Sequence, residues 1–213
     1  MIILIAGEKG GSGKSTIATN VAAGLALTGR DVLLLDADPQ RTSALWVERR
    51  EDSGIEPRVH CAEKTGDLKQ SVADLANRYE DVVIDAGGRD SRELRSGLLV
   101  TQRVYIPMRP SQADLETSPH VDELVGMAKS MRVDAGPDAY ILLAMAPTHH
   151  LVTETGQARQ ILKDLPNLFL ASPVICERKV YRDALAEGKG VLEMHNNAAI
   201  TECRALLEDL HHG

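Results

Sequence analysis

The stretch from Met1 to Thr28 leaves the chain few ways to fold. Met1-Ile-Ile-Leu-Ile-Ala6 is a short apolar run, and Gly7-Glu-Lys-Gly-Gly-Ser-Gly-Lys-Ser-Thr16 follows directly. Ile17, Val21 and Leu25 then recur at helical spacing. A strand, a glycine-rich turn and a helix in that order form a cradle for phosphate. Gly10, Gly11 and Gly13 let successive backbone N–H groups turn inward around an anion with no Cβ in the way. The helix behind them points the positive end of its dipole at the same place. In such a cradle Lys14 reaches the terminal phosphates of a nucleotide as a point charge, and the Ser15 hydroxyl is a ligand for Mg²⁺. Ser12 and Thr16 belong to the same phosphate-binding run.

Two acidic turns follow. Asp31 leads into Val32-Leu-Leu-Leu35, an apolar run of the kind a buried parallel strand needs, and Asp36-Ala-Asp-Pro-Gln40 ends it. Carboxylates at the C-terminal end of a strand lie where open α/β sheets bind ligands, although an Asx-Pro turn would use the same residues. Val82-Val-Ile84 likewise runs into Asp85-Ala-Gly-Gly88. Asp85 would hold Mg²⁺ through a water, and Gly88 would offer its N–H to a γ-phosphate. Around these turns strands and helices alternate. Helices are expected over Arg41–Glu51, Asp67–Arg78, Ser91–Val100, Thr153–Leu165 and Ala198–Leu210, and another, capped by Asp114, ends near Met131. Further strands are expected over Arg58–Cys61, Arg103–Ile106, Tyr140–Met145 and Pro173–Ile175.

The glycine-rich loop departs from the ordinary pattern G-x-x-x-x-G-K-[ST]. Its first glycine should stand at position 8, where the chain has Glu8, and Lys9 adds a second lysine early in the loop. Lys9-Gly-Gly-Ser-Gly-Lys-Ser15 resembles the deviant Walker A box of the ParA/MinD family of ATPases. Asp36–Gln40 matches that family's next motif, D-x-D-P-Q, and Asp85–Gly88 its third. Pro107–Leu115 is similar to a P-x-x-P-S-x-x-D-L stretch of short, ParF-like members. Arg178-Lys-Val-Tyr-Arg-Asp-Ala184 and Gly188-Lys-Gly-Val-Leu-Glu193 resemble the family's C-terminal signature.

The resemblance implies an α/β fold, a mostly parallel central sheet flanked by helices on both faces, in one domain over residues 1–213. It implies ATP hydrolysis with Mg²⁺, an ATP-dependent homodimer, DNA binding without sequence preference, and a centromere-binding partner of the ParB or ParG kind that stimulates turnover. Asp36 then reaches the metal through water, Asp38 positions or polarises the attacking water, and Lys9 crosses to the other subunit's phosphates. The candidate DNA contacts are Arg178, Lys179, Arg182 and Lys189, which alternate with acids. The expected role is segregation of plasmid or chromosomal DNA in the cytoplasm, on the nucleoid. A MinD-like protein or an ATPase positioning some other cargo would share the motifs. Met145 is expected either against a base or in the core.

Composition narrows the classes. Net charge is −7, so DNA contact requires a local patch, not a uniformly basic surface. Aromatic residues are 3% of the 213, so the core is aliphatic. Cys61, Cys176 and Cys203 are odd in number and far apart, which fits reduced thiols in a cytoplasm better than disulfides or zinc. His149 and His150 are adjacent and read as loop residues, not a metal pair. No apolar run approaches the ~20 residues of a membrane span. The last helix, with Glu202, Glu208 and Asp209, lacks the basic face that lies on anionic lipid, so no membrane partner is expected.

Overall fold

The computed structural model describes residues 1–88, 90–111, 115–134, 136–148, 156, 158 and 160–212. Its elements in chain order are β1 (Ile2–Ile5), α1 (Lys14–Leu27), β2 (Val32–Ala37), α2 (Thr42–Asp52), β3 (His60–Glu63), α3 (Lys69–Ala76) and β4 (Asp81–Ala86). Then come α4 (Arg92–Leu98), β5 (Arg103–Met108), α5 (Ser118–Met131), β6 (Asp138–Ala146), β7 (Leu168–Cys176), α6 (Lys179–Glu187), a 3₁₀ turn (Val191–Glu193) and α7 (Asn197–His212). Asp114, His149 and His150, and residues 153–155, 157 and 159 of the helix expected over Thr153–Leu165, lie outside the described residues.

The seven strands form one parallel sheet in the order β3-β2-β4-β1-β5-β6-β7. Alternate strand residues face opposite layers. Ile3 and Ile5 pack with Leu34 and Val83 beneath α1, α2, α6 and α7. Leu4 and Ala6 pack with Leu33, Leu35 and Ile84 against α3, α4 and α5. Both faces are covered, so β2, β4 and β5 are buried along their whole length, with apolar centres and charged residues only toward their ends.

Element ends differ from the sequence expectation where pairing or the phosphate loop decides them. α1 begins at Lys14, ahead of Ile17, because the loop closes straight onto the helix and Ile17 N donates to Gly13 O at 2.9 Å. β3 shifts from Arg58–Cys61 to His60–Glu63, the register that pairs with Leu33–Asp36. β7 is longer than Pro173–Ile175, and a register irregularity opposite Leu142 accommodates Pro173 at the sheet edge.

The C-terminal signature is a clasp. Arg50, fully buried on α2, donates to both oxygens of Glu193 at 2.8 and 2.9 Å and to the carbonyls of Gly188 and Pro57. Trp46, expected to be packing, is fully buried, and its Nε1 donates to Lys189 O at 3.0 Å. Gly188 has φ 71°, and a Cβ there would stand 2.5 Å from Arg50 N. Gly190 is pressed against Ala23 of α1. The turn thereby fixes α6 beside α1 and α2. Glu193→Ala should lower stability by about 3 kcal/mol or more, because it strands a buried guanidinium. Glu187→Ala, which removes only the exposed Lys189 pair, should cost less than about 1 kcal/mol. Urea unfolding of the two variants checks the contrast.

Candidate functional site

The ends of β1, β2 and β4 meet at one rim, where Asp36 and Asp85 stand in register on adjacent strands. A cavity of about 590 Å³ opens there, lined by Gly10, Gly11, Gly13, Lys14, Ser15, Thr16, Asp38 and Gly88. Glycine-rich loop residues, Asp38 and Gly88 therefore share one cavity, with Asp36 and Asp85 buried at the strand ends behind it. Gly11 and Gly13 take φ 74° and 93°, left-handed values that a side chain would strain. Lys14 is buried, and its Nζ donates to Lys9 O at 2.9 Å. Burial lowers its pKa, while Asp85 and Asp38 pull it back up. Ser12 Oγ also turns to Lys9 O, at 3.4 Å. Lys9 lies half-buried on the outer limb of the loop. Glu8, in place of the usual glycine, directs its carboxylate outward to His120 Nε2 at 3.2 Å.

Each acid has a distinct setting. Asp85 is fully buried, and burial pushes its pKa up to about 7 against the opposing pull of the nearby Ser43 and Ser15 hydroxyls. Ser43 Oγ donates to Asp85 Oδ2 at 2.7 Å. Asp85 Oδ1 has no hydrogen-bond partner among the described residues. A buried carboxylate oxygen with no donor, beside a serine hydroxyl, fits a hydrated divalent cation. Asp36 accepts from Asp38 N at 3.0 Å and from Ala44 N at 2.8 Å, so it holds its own turn and the start of α2. Burial raises its pKa as well. Asp38 is half-exposed on the cavity wall and accepts from Gln40 N at 2.9 Å.

Three features escaped the sequence reading. Ser43 carries no motif of its own. Gly87 leaves room for Asp38, since a Cβ there would come within 3.3 Å of that carboxylate. A second pocket of about 200 Å³ adjoins the phosphate loop, lined by Ile17, Met145, Ile175, Tyr181, Arg178 and Arg182. Met145, at φ 56°, lies over Gly13. Its place is thus a pocket wall next to the phosphate cradle.

The candidate DNA contacts sit on and around α6, each beside an acid. Arg178 pairs with Glu202 at 2.7 Å, and Lys179 with Asp183 at 2.8 Å. Arg182 pairs with Glu177 at 3.5 Å, and Lys189 with Glu187 at 2.9 Å. Arg178 is partly buried and faces the second pocket, whereas Lys179 and Arg182 are well exposed.

Residues 3–191 match the model of the CobQ/CobB/MinD/ParA nucleotide binding domain. Among curated proteins, the maintenance of carboxysome distribution protein A of Halothiobacillus neapolitanus is 28% identical over 212 residues, covering 98% of this chain and 95% of that protein. Protein ParA of Rhizobium radiobacter is 26% identical, covering 84% of this chain and 80% of that protein. Among solved structures, apo McdA of Cyanothece superposes with a TM-score of 0.77 at 16% identity, covering 98% of each chain.

The buried Asp85 makes stability depend on pH. Its folded value of about 7 exceeds the ordinary 3.8, so the folded chain keeps a proton that the unfolded chain releases between them. That contribution to stability is complete below pH ~4 and is lost as pH rises through 7. In metal-free protein, Asp85→Asn should therefore be more stable than the parent at pH 8, by a few kcal/mol at about 1.4 kcal/mol per pK unit. The gap should close toward pH 4. Urea unfolding in EDTA across this range measures it, and a gap independent of pH would refute the assignment.

Proposed function

Because the chain belongs to the CobQ/CobB/MinD/ParA nucleotide-binding family, whose ParA and MinD members are P-loop ATPases, we propose that it hydrolyses ATP to switch an ATP-dependent homodimer that partitions DNA or positions another cargo. The observation that carries this reading is the convergence of Lys14, Ser15 and Asp38 on one cavity, with the buried Asp85 held by Ser43 at the end of β4 behind it and Lys9 O accepting from Lys14. The loop N–H groups and Lys14 bind the phosphates, and Gly88 offers its N–H to the terminal one. Ser15 and Asp85 would hold Mg²⁺, with Asp36 acting through water; the metal supplies charge neutralisation on the phosphate oxygens. Asp38 orients the attacking water. The pocket walled by Met145 and Ile17 takes the base. Lys9 reaches the facing subunit's phosphates, since two polyphosphates brought together repel unless a cation from each subunit bridges them.

Cargo is the point on which two readings part. The partition reading rests on the family resemblance and on ParA of Rhizobium radiobacter. The positioning reading is favoured by the carboxysome-distribution relative, which aligns with almost the whole chain. Both use nucleoid DNA as the track and a partner protein to stimulate slow turnover, a centromere-binding ParB- or ParG-like protein in the first case. Neither calls for a membrane: α7 buries Cys203, Leu206 and Leu210 against the sheet, which leaves that face unavailable to lipid. No described helix is long and apolar enough to cross one.

Light scattering with ADP, ATP and a slowly hydrolysed ATP analogue tests the switch. The parent should dimerise only with ATP or the analogue. Asp38→Ala should dimerise with ATP yet hydrolyse it at least ~100-fold more slowly, because a water-positioning group acts on the barrier alone. Lys9→Ala should bind ATP and stay monomeric. A Lys9→Ala dimer formed at parental ATP concentrations would sink the bridging role.

DNA binding should be ATP-dependent and steeply salt-sensitive, because two copies of one patch act together on a dimer. The ion pairs on α6 are exposed and cheap to exchange for phosphate. Lys179→Glu combined with Lys189→Glu should abolish binding and keep the ATP-dependent dimer. Fluorescence anisotropy across a salt series decides; undiminished binding would place the DNA surface elsewhere.

A further inference from the structure

The carboxylate at the centre of the site is held by a residue outside every motif recognised in the sequence. Ser43 is the second residue of α2 and fully buried, and its Oγ–H is directed into the sheet onto Asp85 Oδ2 at 2.7 Å. A serine at a helix start ordinarily caps its own helix. α2 has no side-chain cap, so this hydroxyl is committed to the neighbouring strand. The next residue donates its backbone N–H to Asp36 Oδ2. The first turn of α2 thus grips both strand-end acids and follows immediately on the loop that carries Asp38. The second oxygen of Asp85 has no hydrogen-bond partner among the described residues, and Ser15 stands near the same carboxylate.

We propose that Ser43 is the positioning residue of the metal site. Holding one oxygen of Asp85 fixes a side-chain torsion that is otherwise broad. The other oxygen would then stay available to a hydrated cation held with Ser15, and the first turn of α2 would tie that carboxylate to the Asp38 loop. This rests on the reading of the cavity as a Mg²⁺–nucleotide site. Partners that orient a ligating carboxylate typically account for 10- to 100-fold in metal affinity.

Binding of a fluorescent ATP analogue, first in EDTA and then across a Mg²⁺ titration, tests it without measuring turnover. Ser43→Ala should bind the metal-free analogue within about twofold of the parent, which also reports that the variant is folded. Its Mg²⁺ midpoint should rise at least tenfold, and Ser43→Thr, which restores the hydroxyl, should bring it back toward the parental value. A parental Mg²⁺ midpoint in Ser43→Ala overturns the proposal. Equal weakening of metal-free and Mg²⁺-dependent binding overturns it too, because that is the mark of a packing role. A parent that binds the analogue with no response to Mg²⁺ defeats the metal reading itself, an outcome distinct from an unchanged midpoint in a responsive parent.

Discussion

Asp36 and Asp85 stand side by side at the ends of adjacent buried strands, and the arrangement of the site follows from keeping two carboxylates there. Like charges at that separation in a poorly hydrated place raise each other's cost of ionisation. The N–H groups of Ala44 and Asp38, the hydroxyl of Ser43 and the ammonium of Lys14 nearby offset it; Ala44 and Ser43 belong to the first turn of α2. Moving α2 therefore means unmaking the acid pair's support, and altering the charge on Asp85 means pulling on α2.

The opposite end of α2 is anchored as firmly. Arg50 is enclosed by Glu193 and the Gly188 and Pro57 carbonyls, and the two glycines of the turn exist to let backbones touch. α6 follows as part of the same assembly. It brings Tyr181, Arg178 and Arg182 to the wall of the second pocket and turns Lys179 outward. The glycine-rich loop, the pocket beside it and the mixed-charge α6 are thus three sides of one packed unit built on α1, α2 and α6, not separate devices.

The phosphate loop and both acid turns were legible because their chemistry is carried by contiguous residues at fixed offsets. The fold followed from the resemblance those runs support. What the sequence concealed was through-space. Ser43 is one more polar residue in a helix until β4 is laid beside it. Gly87 is conspicuous only once Asp38 leans over it. Met145, ambiguous between core and pocket, is resolved by its left-handed backbone and its place above Gly13. Charge alternation around α6 was visible, but which acid meets which cation depends on α7, whose Glu202 claims Arg178. Strand ends shifted where a partner strand, not local preference, fixes the register.

The two margins of the sheet bear on how copies of this chain can meet. β3 offers only four residues, of which His60 and Glu63 are exposed, and β7 is interrupted by Pro173, which lacks an N–H, and by an irregular register. Neither margin presents the regular row of unpaired donors and acceptors on which a neighbour's strand could grow. Association by strand addition, which is long-lived and hard to reverse, is thereby discouraged at both sides. What remains for contact between copies is the rim and the helical faces, where association is made of side chains and is more readily reversed than a shared sheet.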